Sequence, residues 1–252
     1  MVRKKYYSIF SFALLLCLLC TTYTIAKDKP VTLDNDPNLA AWWKFDETSG
    51  KTAADSSKHK RKGTLMEGLS FEKDSTTGRI KKALKFDGEG FVEIKKYKGV
   101  TGTRPRTVAA WFRTTEAKGD IISWGEDDFG KMFIFGHIRG RIGIRPNGGY
   151  LYINDETNDG KWHHVAAVVE EAELPNLYDN VKLYKDGELA EIHDIGLLDL
   201  WPIDTGKKFD VSIGKNFEGL IDDVRIYDRP LSENEIKALF KLQSNKPLSK
   251  SK

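Results

Sequence analysis

The chain of 252 residues carries 40 basic and 37 acidic residues, a net charge of +3 with histidine neutral. Three basic residues lie in residues 1–26 and four in residues 241–252, and neither segment contains an acid, so residues 27–240 hold four more acidic than basic residues. Nucleic acid is normally bound by a clearly basic surface, so this balance argues against a nucleic-acid partner.

The first 26 residues have the pattern of a secretory signal peptide. Three cations at positions 3–5 precede an apolar run over 9–19, and the polar stretch 21–24 ends that run. The run is shorter than the roughly 20 apolar residues that a membrane span needs. We therefore expect a signal peptide over 1–26, cleaved near Ala26, with an uncleaved anchor as the alternative. Both cysteines lie inside it, so the exported chain contains none, and burial must stabilise it.

The rest of the chain is predicted to be one all-β domain over 39–240, after a leader segment over 27–38 and before a disordered basic tail over 241–252. Short runs of aromatic and β-branched residues alternate with Gly, Asn and Asp, as is typical of strands separated by turns. The predicted strands are 40–45, 83–86, 91–94, 107–114, 121–124, 132–135, 141–145, 150–154, 162–169, 181–185, 188–192, 211–213 and 220–227.

Two turns predict β-hairpins. The pair Asp186-Gly187 separates VKLYK from ELAEI, and both positions tolerate the positive φ of a type I′ turn. The run Asn147-Gly148-Gly149 separates RIGIR from YLYIN in the same way. Each pair of strands should be antiparallel neighbours.

One helix is predicted near the end of the chain. Ser232 is a candidate N-cap, and Glu235 three residues later completes a capping box. Ile236, Leu239 and Phe240 then follow along one face. This helix should pack on the sheets after Pro230.

Four segments in order carry a family resemblance, and together they extend over about residues 39–240. They are AAWWKFDETSG with AADSS, then ALKFDGEGFVEI, then TVAAWFRT with DGKWHHVAAVV, and finally GLIDDVRIYDRPLSENEI. With these segments the chain resembles the LamG-like, concanavalin A-like jelly rolls of secreted bacterial proteins, which are related to laminin G domains and pentraxins. The resemblance implies a two-sheet antiparallel jelly-roll β-sandwich. It specifies function less closely, because one fold hosts many unrelated sites.

A carboxylate at position 222 interrupts the apolar stripe of the last predicted strand. Alternation places Leu220, Asp222, Val224 and Ile226 on one face, where an unpaired carboxylate is costly. Several proteins of this fold hold calcium where the first and last strands meet, and Asp46, after AWWKF, would be the second ligand. The resemblance thus implies a structural Ca²⁺ site at Asp46 and Asp222. The alternative is that both carboxylates bond loop amides or a neighbouring cation.

The adjacent His163 and His164 are expected to be structural. Neighbouring residues of a strand point to opposite faces, so the two rings cannot share one small site. The resemblance implies that this WHHVA segment is a core strand.

A sugar-binding surface needs aromatic faces for stacking and fixed polar groups for the hydroxyls. The middle of the chain supplies candidates, of which Trp124, Arg139 and Tyr150 are selected because each ends a predicted strand beside a turn, where loops place recognition groups. The wider set also includes Trp111, Arg113, His137, Arg145, Tyr152 and Trp201.

The sequence favours binding over catalysis. Glycosidases of this fold carry two carboxylates at alternate positions of one strand, as E-x-D-x-E, and no such array occurs in the chain. We therefore expect a non-enzymatic module, secreted, periplasmic or at the cell surface, that binds a glycan or an extracellular protein. The alternatives are an architectural envelope or adhesion protein and, less favoured, a glycoside hydrolase.

Overall fold

The computed structural model describes residues 32–196 and 202–244, and within them the chain forms two antiparallel sheets. The predicted signal peptide over 1–26, the first part of the leader, Trp201 and the tail beyond residue 244 lie outside the described residues. In the described ranges, none of the helices is both long and apolar enough to cross a membrane.

The first sheet has eight strands. In space they follow the order β14, β13, β12, β7, β17, β5, β4, with β1 paired to the second half of β17. Their bounds are β1 Leu39–Trp43, β4 Ser75–Thr77, β5 Lys82–Asp87, β7 Arg106–Arg113, β12 His163–Val169, β13 Val181–Lys185, β14 Glu188–Leu189 and β17 Glu218–Tyr227.

The second sheet has nine strands. Their order is β15, β11, β10, β9, β8, β16, β6, β3, β2, and each neighbouring pair is antiparallel. The bounds are β2 Thr52–Ala53, β3 Gly63–Leu65, β6 Val92–Ile94, β8 Gly119–Gly125, β9 Met132–Ile138, β10 Arg141–Arg145, β11 Tyr150–Ile153, β15 Ile192–Gly196 and β16 Phe209–Ile213.

The main core fills the space between the two sheets, where alternate residues of each strand meet. Trp43, Phe86, Phe112, Trp124 and Phe135 are among its large side chains, each at most 1% exposed. Burying a large apolar side chain stabilises the folded state by about 1.5–3 kcal/mol. This core explains how a chain without disulfides in its sandwich can be stable.

Three helices complete the fold: α1 Phe71–Asp74, α2 Leu177–Asn180 and α3 Glu233–Ser244. The predicted capping box of α3 is confirmed, because Ser232 N–H donates to Glu235 Oε2 at 2.8 Å and Glu235 N–H donates to Ser232 Oγ at 3.4 Å. Ile236 and Leu239 are fully buried in a second apolar cluster on the outer face of the eight-stranded sheet. Helix α3 therefore covers part of that face.

Both predicted hairpins are confirmed. Asp186 and Gly187 join β13 to β14 with φ values of 50° and 86°, and Asn147 and Gly148 lie between β10 and β11 with φ values of 67° and 85°. The strand predicted over 188–192 is different in the structure. It divides into β14, which stays in the eight-stranded sheet, and β15, which crosses to the edge of the nine-stranded sheet.

The simple alternation predicted for residues 220–227 is wrong after Asp222. A bulge shifts the register between Asp222 and Arg225, and Asp223 within it has φ of 52°. Ile221 lies in the inter-sheet core, and so do Val224 and Ile226, while Asp222 does not. An extra residue in one strand reverses the faces beyond it. Asp222 thus shares the outer face with Leu220 but not with Val224.

The described part of the predicted leader, residues 32–38, packs on the sandwich. Leu33 is 8% exposed, and its carbonyl accepts a hydrogen bond from the Tyr227 hydroxyl at 3.0 Å. Arg225 pairs with Asp34 at 2.6 Å, and Asp36 is 6% exposed beside Arg229. These contacts attach the segment to the end of β17.

Candidate functional site

A groove lies on the outer face of the nine-stranded sheet. Its walls come from β8, β9, β10, the turn after β10, and the start of β16. Met132, Ile134 and Phe209 supply apolar surface, and Phe209 is 41% exposed. The groove has a volume of about 430 Å³. This is within the range of small-ligand sites.

Cross-strand pairing explains why these side chains share a face. Ser123 of β8 is opposite Ile134 of β9, and Ile134 is opposite Arg145 of β10. Directly opposed residues of an antiparallel pair point to the same side of the sheet. The bulge in β8 between Asp120 and Ile122 brings Asp120 to the same face, beside Arg145.

The polar part of the groove is an ion pair between Arg145 and Asp120. Burial raises the pKa of the Asp120 carboxyl, while Arg145 and Lys215 oppose that shift. Arg145 Nε is buried and has no hydrogen-bond partner among the described residues. Buried polar groups are nearly always bonded, so this donor indicates a place for a ligand oxygen or a water.

Beside the groove, three stacked rings form what we call the tyrosine ladder: Tyr150 and Tyr152 of β11 and His193 of β15. Tyr150 and Tyr152 stack with centroids 5.5 Å apart at 26°, and Tyr152 and His193 have the same distance and angle. The two hydroxyls donate to Asp194 Oδ2 at 3.1 and 3.3 Å. The hydrogen bond to Asp194 raises the pKa of Tyr150. The ladder is thereby held in one orientation.

The structure brings together two of the three residues selected from the sequence as ligand contacts. Arg139, exposed in the turn between β9 and β10 with φ of 53°, approaches the Tyr152 hydroxyl at 3.5 Å. Tyr150 stacks on the ring of the same tyrosine. Arg145 and Tyr152, from the wider set, lie on this face too.

The third selected residue, Trp124, is corrected. It is 1% exposed, stacks on Phe133 with centroids 4.3 Å apart, and donates its indole N–H to the Val100 carbonyl at 3.0 Å. A Cβ on Gly99 would lie 2.5 Å from the Trp124 ring, so backbone covers it. The alternation along β8 directs the Trp124 side chain toward the core. Its position beside a turn therefore does not expose the ring. Trp111 and His137 are buried as well.

The sequence analysis missed Asp120, His193 and Asp194 and the apolar floor of the groove. Phe209 and Met132 were unnoticed because no single segment shows that β16 and β9 flank β8. The alternation of Met132–Ile138 does contain a usable signal, since it places Met132, Ile134 and Gly136 on the non-core face. For Asp194, the prediction placed its segment outside any strand.

A second depression, the carboxylate pocket, lies where β1, β17 and the loop before β5 meet, with a volume of about 130 Å³. It brings Asp46 and Asp222 together, as expected. Asp222 is 1% exposed, and its Oδ2 accepts from Ile80 N–H at 2.8 Å, but its Oδ1 has no partner. Burial raises the pKa of Asp222 well above its usual range.

The cations of the carboxylate pocket are mostly engaged. Lys81 Nζ lies 3.1 Å from Asp46 Oδ2 and is 68% exposed. Arg225 pairs with Asp223 at 3.1 Å and stacks over Trp42 at 3.8 Å. Within the described ranges, no group of three or more His, Cys, Asp or Glu side chains is arranged to hold a metal. Carbonyl oxygens and water would have to complete any coordination sphere there.

The adjacent histidines have separate structural roles. His163 lies between Asp186 at 3.0 Å and Asp159 at 3.1 Å. His164 is 1% exposed and packs between Trp111 and Phe240. The hydrogen bond to Asp186 raises the pKa of His163, whereas burial lowers the pKa of His164 to about 3. The two rings share no site.

Two stacked antiparallel sheets, with the first strand paired to the last, define a jelly-roll sandwich of the concanavalin A-like class. The chain belongs to the Laminin_G_3 family of the concanavalin A-like lectin/glucanases superfamily, whose model matches residues 86–237. No curated protein sequence matches the chain.

Solved structures with the same fold include several binding domains. Domain 4 of AbnA, an extracellular arabinanase of family GH43 from Geobacillus stearothermophilus, was solved with arabinotriose; it is 18% identical, with a TM-score of 0.56, over 80% of this chain and 98% of that domain. The ligand-binding domain of botulinum neurotoxin D, solved with N-acetylneuraminic acid, is 15% identical with a TM-score of 0.50. The binding domain of Paraclostridial Mosquitocidal Protein 1 is 15% identical with a TM-score of 0.54. The matches cover 82% of this chain and about half of each toxin domain, 51% and 53%. At these identities the likeness concerns the fold.

Proposed function

We propose that the protein is a carbohydrate-binding module whose ligand lies in the groove and against the tyrosine ladder. The observation that carries this proposal is their continuity on one sheet face. Ser123, Ile134 and Arg145 are successive cross-strand partners, and a neighbouring row ends on Tyr152 and Asp194. From β16 to β15 this surface spans six strands, about 24 Å at about 4.8 Å per interval. That length suits several linked sugars.

The chemistry of the surface suits a saccharide. The apolar C–H faces of a sugar ring pack on aromatic and aliphatic side chains, here Phe209, Met132 and Ile134. Its hydroxyls need fixed donors and acceptors, which Arg145 and Asn147 offer at the groove. The unpartnered Nε of Arg145 would gain an acceptor on binding.

The solved relatives support this proposal at the level of the fold. Two of them were solved with saccharides, arabinotriose and N-acetylneuraminic acid, on sandwiches of the same architecture. The superfamily is described as lectins and glucanases, so both binding and hydrolysis occur on this fold.

Binding is favoured over hydrolysis because the sequence contains no E-x-D-x-E array of the kind expected of a glycosidase of this fold. One observation favours catalysis as the second candidate: Asp120 is a partly buried carboxyl with a raised pKa, as a general acid requires. Its ion pair with Arg145 opposes that role, because it stabilises the charged form. Reducing-sugar release that Asp120→Asn abolishes would establish the hydrolase instead.

The test of binding is a glycan array followed by titration of the best ligand. Arg145→Ala should weaken binding at least about tenfold, the loss expected for one charged hydrogen bond in a groove. Arg104→Ala is the matched control, because Arg104 is exposed in the loop before β7. The absence of binding to every glycan on the array, or equal affinities of the Arg145→Ala and Arg104→Ala variants, would refute the proposal. Self-association measured by light scattering, together with no binding on the array, would favour an architectural envelope or adhesion protein.

We further propose that Asp46 and Asp222 hold a structural Ca²⁺ in the carboxylate pocket. The support is the unpartnered, buried Oδ1 of Asp222 beside a second carboxylate. Calcium accepts six to eight oxygen ligands, including carbonyls and water, and would neutralise both acids. Lys81 is exposed enough to leave Asp46. A melting midpoint that falls with chelator and recovers with calcium supports the site. An identical midpoint in both conditions refutes it.

Secretion is part of the same proposal. The signal-peptide pattern of residues 1–26 supports export, so the glycan would be extracellular or on the surface, free or attached to a protein. Fractionation of cells that produce the full chain, with mass determination of the released protein, tests both export and cleavage near Ala26.

A further inference from the structure

The eight-stranded sheet has an outer face that helix α3 covers only in part. Beyond the helix, the face contains an open depression of about 430 Å³ that we call the lysine–arginine pocket. Its lining includes Thr76, Lys85, Arg113, Thr115, Glu218 and Leu220. It belongs to a different sheet from the groove of the proposed function.

Three neighbouring strands place two cations side by side in this pocket. Leu220 of β17 is opposite Lys85 of β5 on one side and Arg113 of β7 on the other. The two basic residues are therefore two strand intervals apart, about 10 Å between backbones. Their long side chains can reach one ligand group above Leu220, which is 8% exposed.

The two cations have no direct polar partner within the described part of the chain, although the charge of Lys85 helps to lower the pKa of Asp87. Lys85 and Arg113 are exposed and form no ion pair and no side-chain hydrogen bond there, whereas Lys182, Lys185 and Arg225 of the same sheet each pair with a carboxylate. Thr76 and Thr115 also have hydroxyls without a side-chain hydrogen bond among these residues.

From this arrangement we infer a second binding site, independent of the groove, for the sulfate or carboxylate groups of an acidic polysaccharide. A guanidinium fork binds two oxygens of such a group at once, and an ammonium adds a point charge. The threonine hydroxyls supply neutral donors. Leu220 gives the floor an apolar patch for the ring that bears the anionic group.

Among the described residues that line the pocket, Glu218 is the one acidic side chain. It is exposed at the end of the pocket, opposite Asp87 of β5. Its carboxylate repels an anion, so its removal should strengthen binding while removal of either cation should weaken it. General charge attraction would give the same signs, so a specific pocket additionally requires that removal of an exposed cation elsewhere leaves binding unchanged.

The test measures binding of the protein to immobilised dextran sulfate, polygalacturonate and neutral dextran. We expect binding to at least one charged polymer, none to dextran, and weakening as salt increases. Lys85→Ala with Arg113→Ala should reduce affinity at least about tenfold, Glu218→Gln should increase it, and Lys62→Ala, an exposed control on the other sheet, should leave it unchanged. All these side chains are exposed, and equal melting midpoints verify the fold of each variant.

Several results would overturn the inference. They are failure of both charged polymers to bind, equal binding of dextran, and equal affinity of the protein and the double variant. Arg145→Ala distinguishes the two sites: it should impair the glycan of the groove and leave binding of the charged polymer intact. Loss of groove binding alone would therefore contradict only the proposed function.

Discussion

The Tyr150 hydroxyl on β11 donates a hydrogen bond to the Asp194 carboxylate on the edge strand β15 across 3.1 Å. Tyr152 donates to the same oxygen, so one carboxylate fixes two stacked rings. A ring held in place before the ligand arrives loses little conformational freedom on binding. This contact makes the tyrosine ladder a rigid platform.

Replacing Tyr150 should therefore affect binding through the ring. Tyr150→Ala should weaken the glycan complex about tenfold, whereas Tyr150→Phe, which keeps the ring, should weaken it less. Isothermal titration measures both. Tyr178→Ala is the control, because Tyr178 is 70% exposed on α2. Unchanged affinity of the Tyr150→Ala variant would show that the tyrosine ladder does not contribute to glycan binding.

The stability contributed by His163 should depend on pH. Hydrogen bonds to Asp186 and Asp159 raise its pKa in the folded protein above the usual 6.5. The contribution is then complete below about pH 6.5 and is lost as the pH rises through the higher folded pKa. The melting midpoint of wild type minus that of His163→Gln should thus be largest in mild acid. A constant difference from about pH 5 to 9 would contradict it. His193→Gln, at an exposed ring, is the control.

The charge of Asp222 should destabilise the protein in chelator. Burial raises its folded pKa, so the ionised form is unfavourable at neutral pH. Asp222→Asn should then be more stable at pH 7, with a gain that shrinks on acidification as the wild type becomes protonated. Urea unfolding measures this difference.

Asp87 is the control for Asp222, because its replacement should change the stability in the opposite direction. Backbone hydrogen bonds from Gly90 and Glu89 lower the pKa of Asp87, so Asp87→Asn should cost stability at pH 7 and cost less at low pH. In excess calcium, the proposed site predicts that Asp222→Asn loses its advantage. An advantage that is the same with calcium and with chelator counts against the metal.

The buried pair of Arg225 and Asp223 should dominate the stability of the carboxylate pocket. Both side chains are at most 4% exposed, and removing Asp223 leaves the buried guanidinium with the more exposed Asp34 as its carboxylate partner among the described residues. Asp223→Ala should cost about 3–5 kcal/mol in urea unfolding. Asp34→Ala removes the other, 55% exposed partner of Arg225 and should cost less than about 1 kcal/mol. Equal costs would show that burial does not set the strength of this pair.

Trp124 should matter for folding and not for the ligand. Trp124→Ala removes a ring enclosed by Phe133 and the backbone at Gly99, and should destabilise the protein by about 3–5 kcal/mol. The dissociation constant of the folded fraction should stay within about twofold, below the 1.4 kcal/mol that a tenfold change requires. Titration below the melting transition measures it. A large loss of affinity in a fully folded Trp124→Ala variant would indicate that Trp124 contributes to ligand binding.

The sequence predicted local structure where one segment contains all the necessary information. The Asp186-Gly187 turn and the capping box of Ser232 and Glu235 depend on neighbours in the chain, and both are confirmed. The bulge at Asp223 was not predictable, because its indole partner Trp42 is brought to it only by the pairing of β1 with β17. The alternation of apolar and polar residues in the sequence does not reveal the extra residue that forms the bulge.

The same distinction between local and long-range information applies to the candidate site. Tyr150 and Arg139 were selected for their positions beside turns and both lie near the Tyr152 ring in the structure, whereas Trp124, selected in the same way, is buried. Turn proximity indicates where a strand ends, whereas exposure depends on which sheet covers the ring. The pairing of Asp120 with Arg145 required knowledge that β8 and β10 both flank β9.

Strand β17 has a consequence for the order in which the molecule is completed. It is the last strand in chain order within the described residues, yet it lies between β7 on one side and β5 and β1 on the other. Before it is available, the eight-stranded sheet lacks its middle, and its two halves have no common neighbour. Structures rich in such distant pairings form slowly. A chain shortened before Glu218, and so without β17, should expose apolar strands and aggregate, rather than persist as a smaller sandwich.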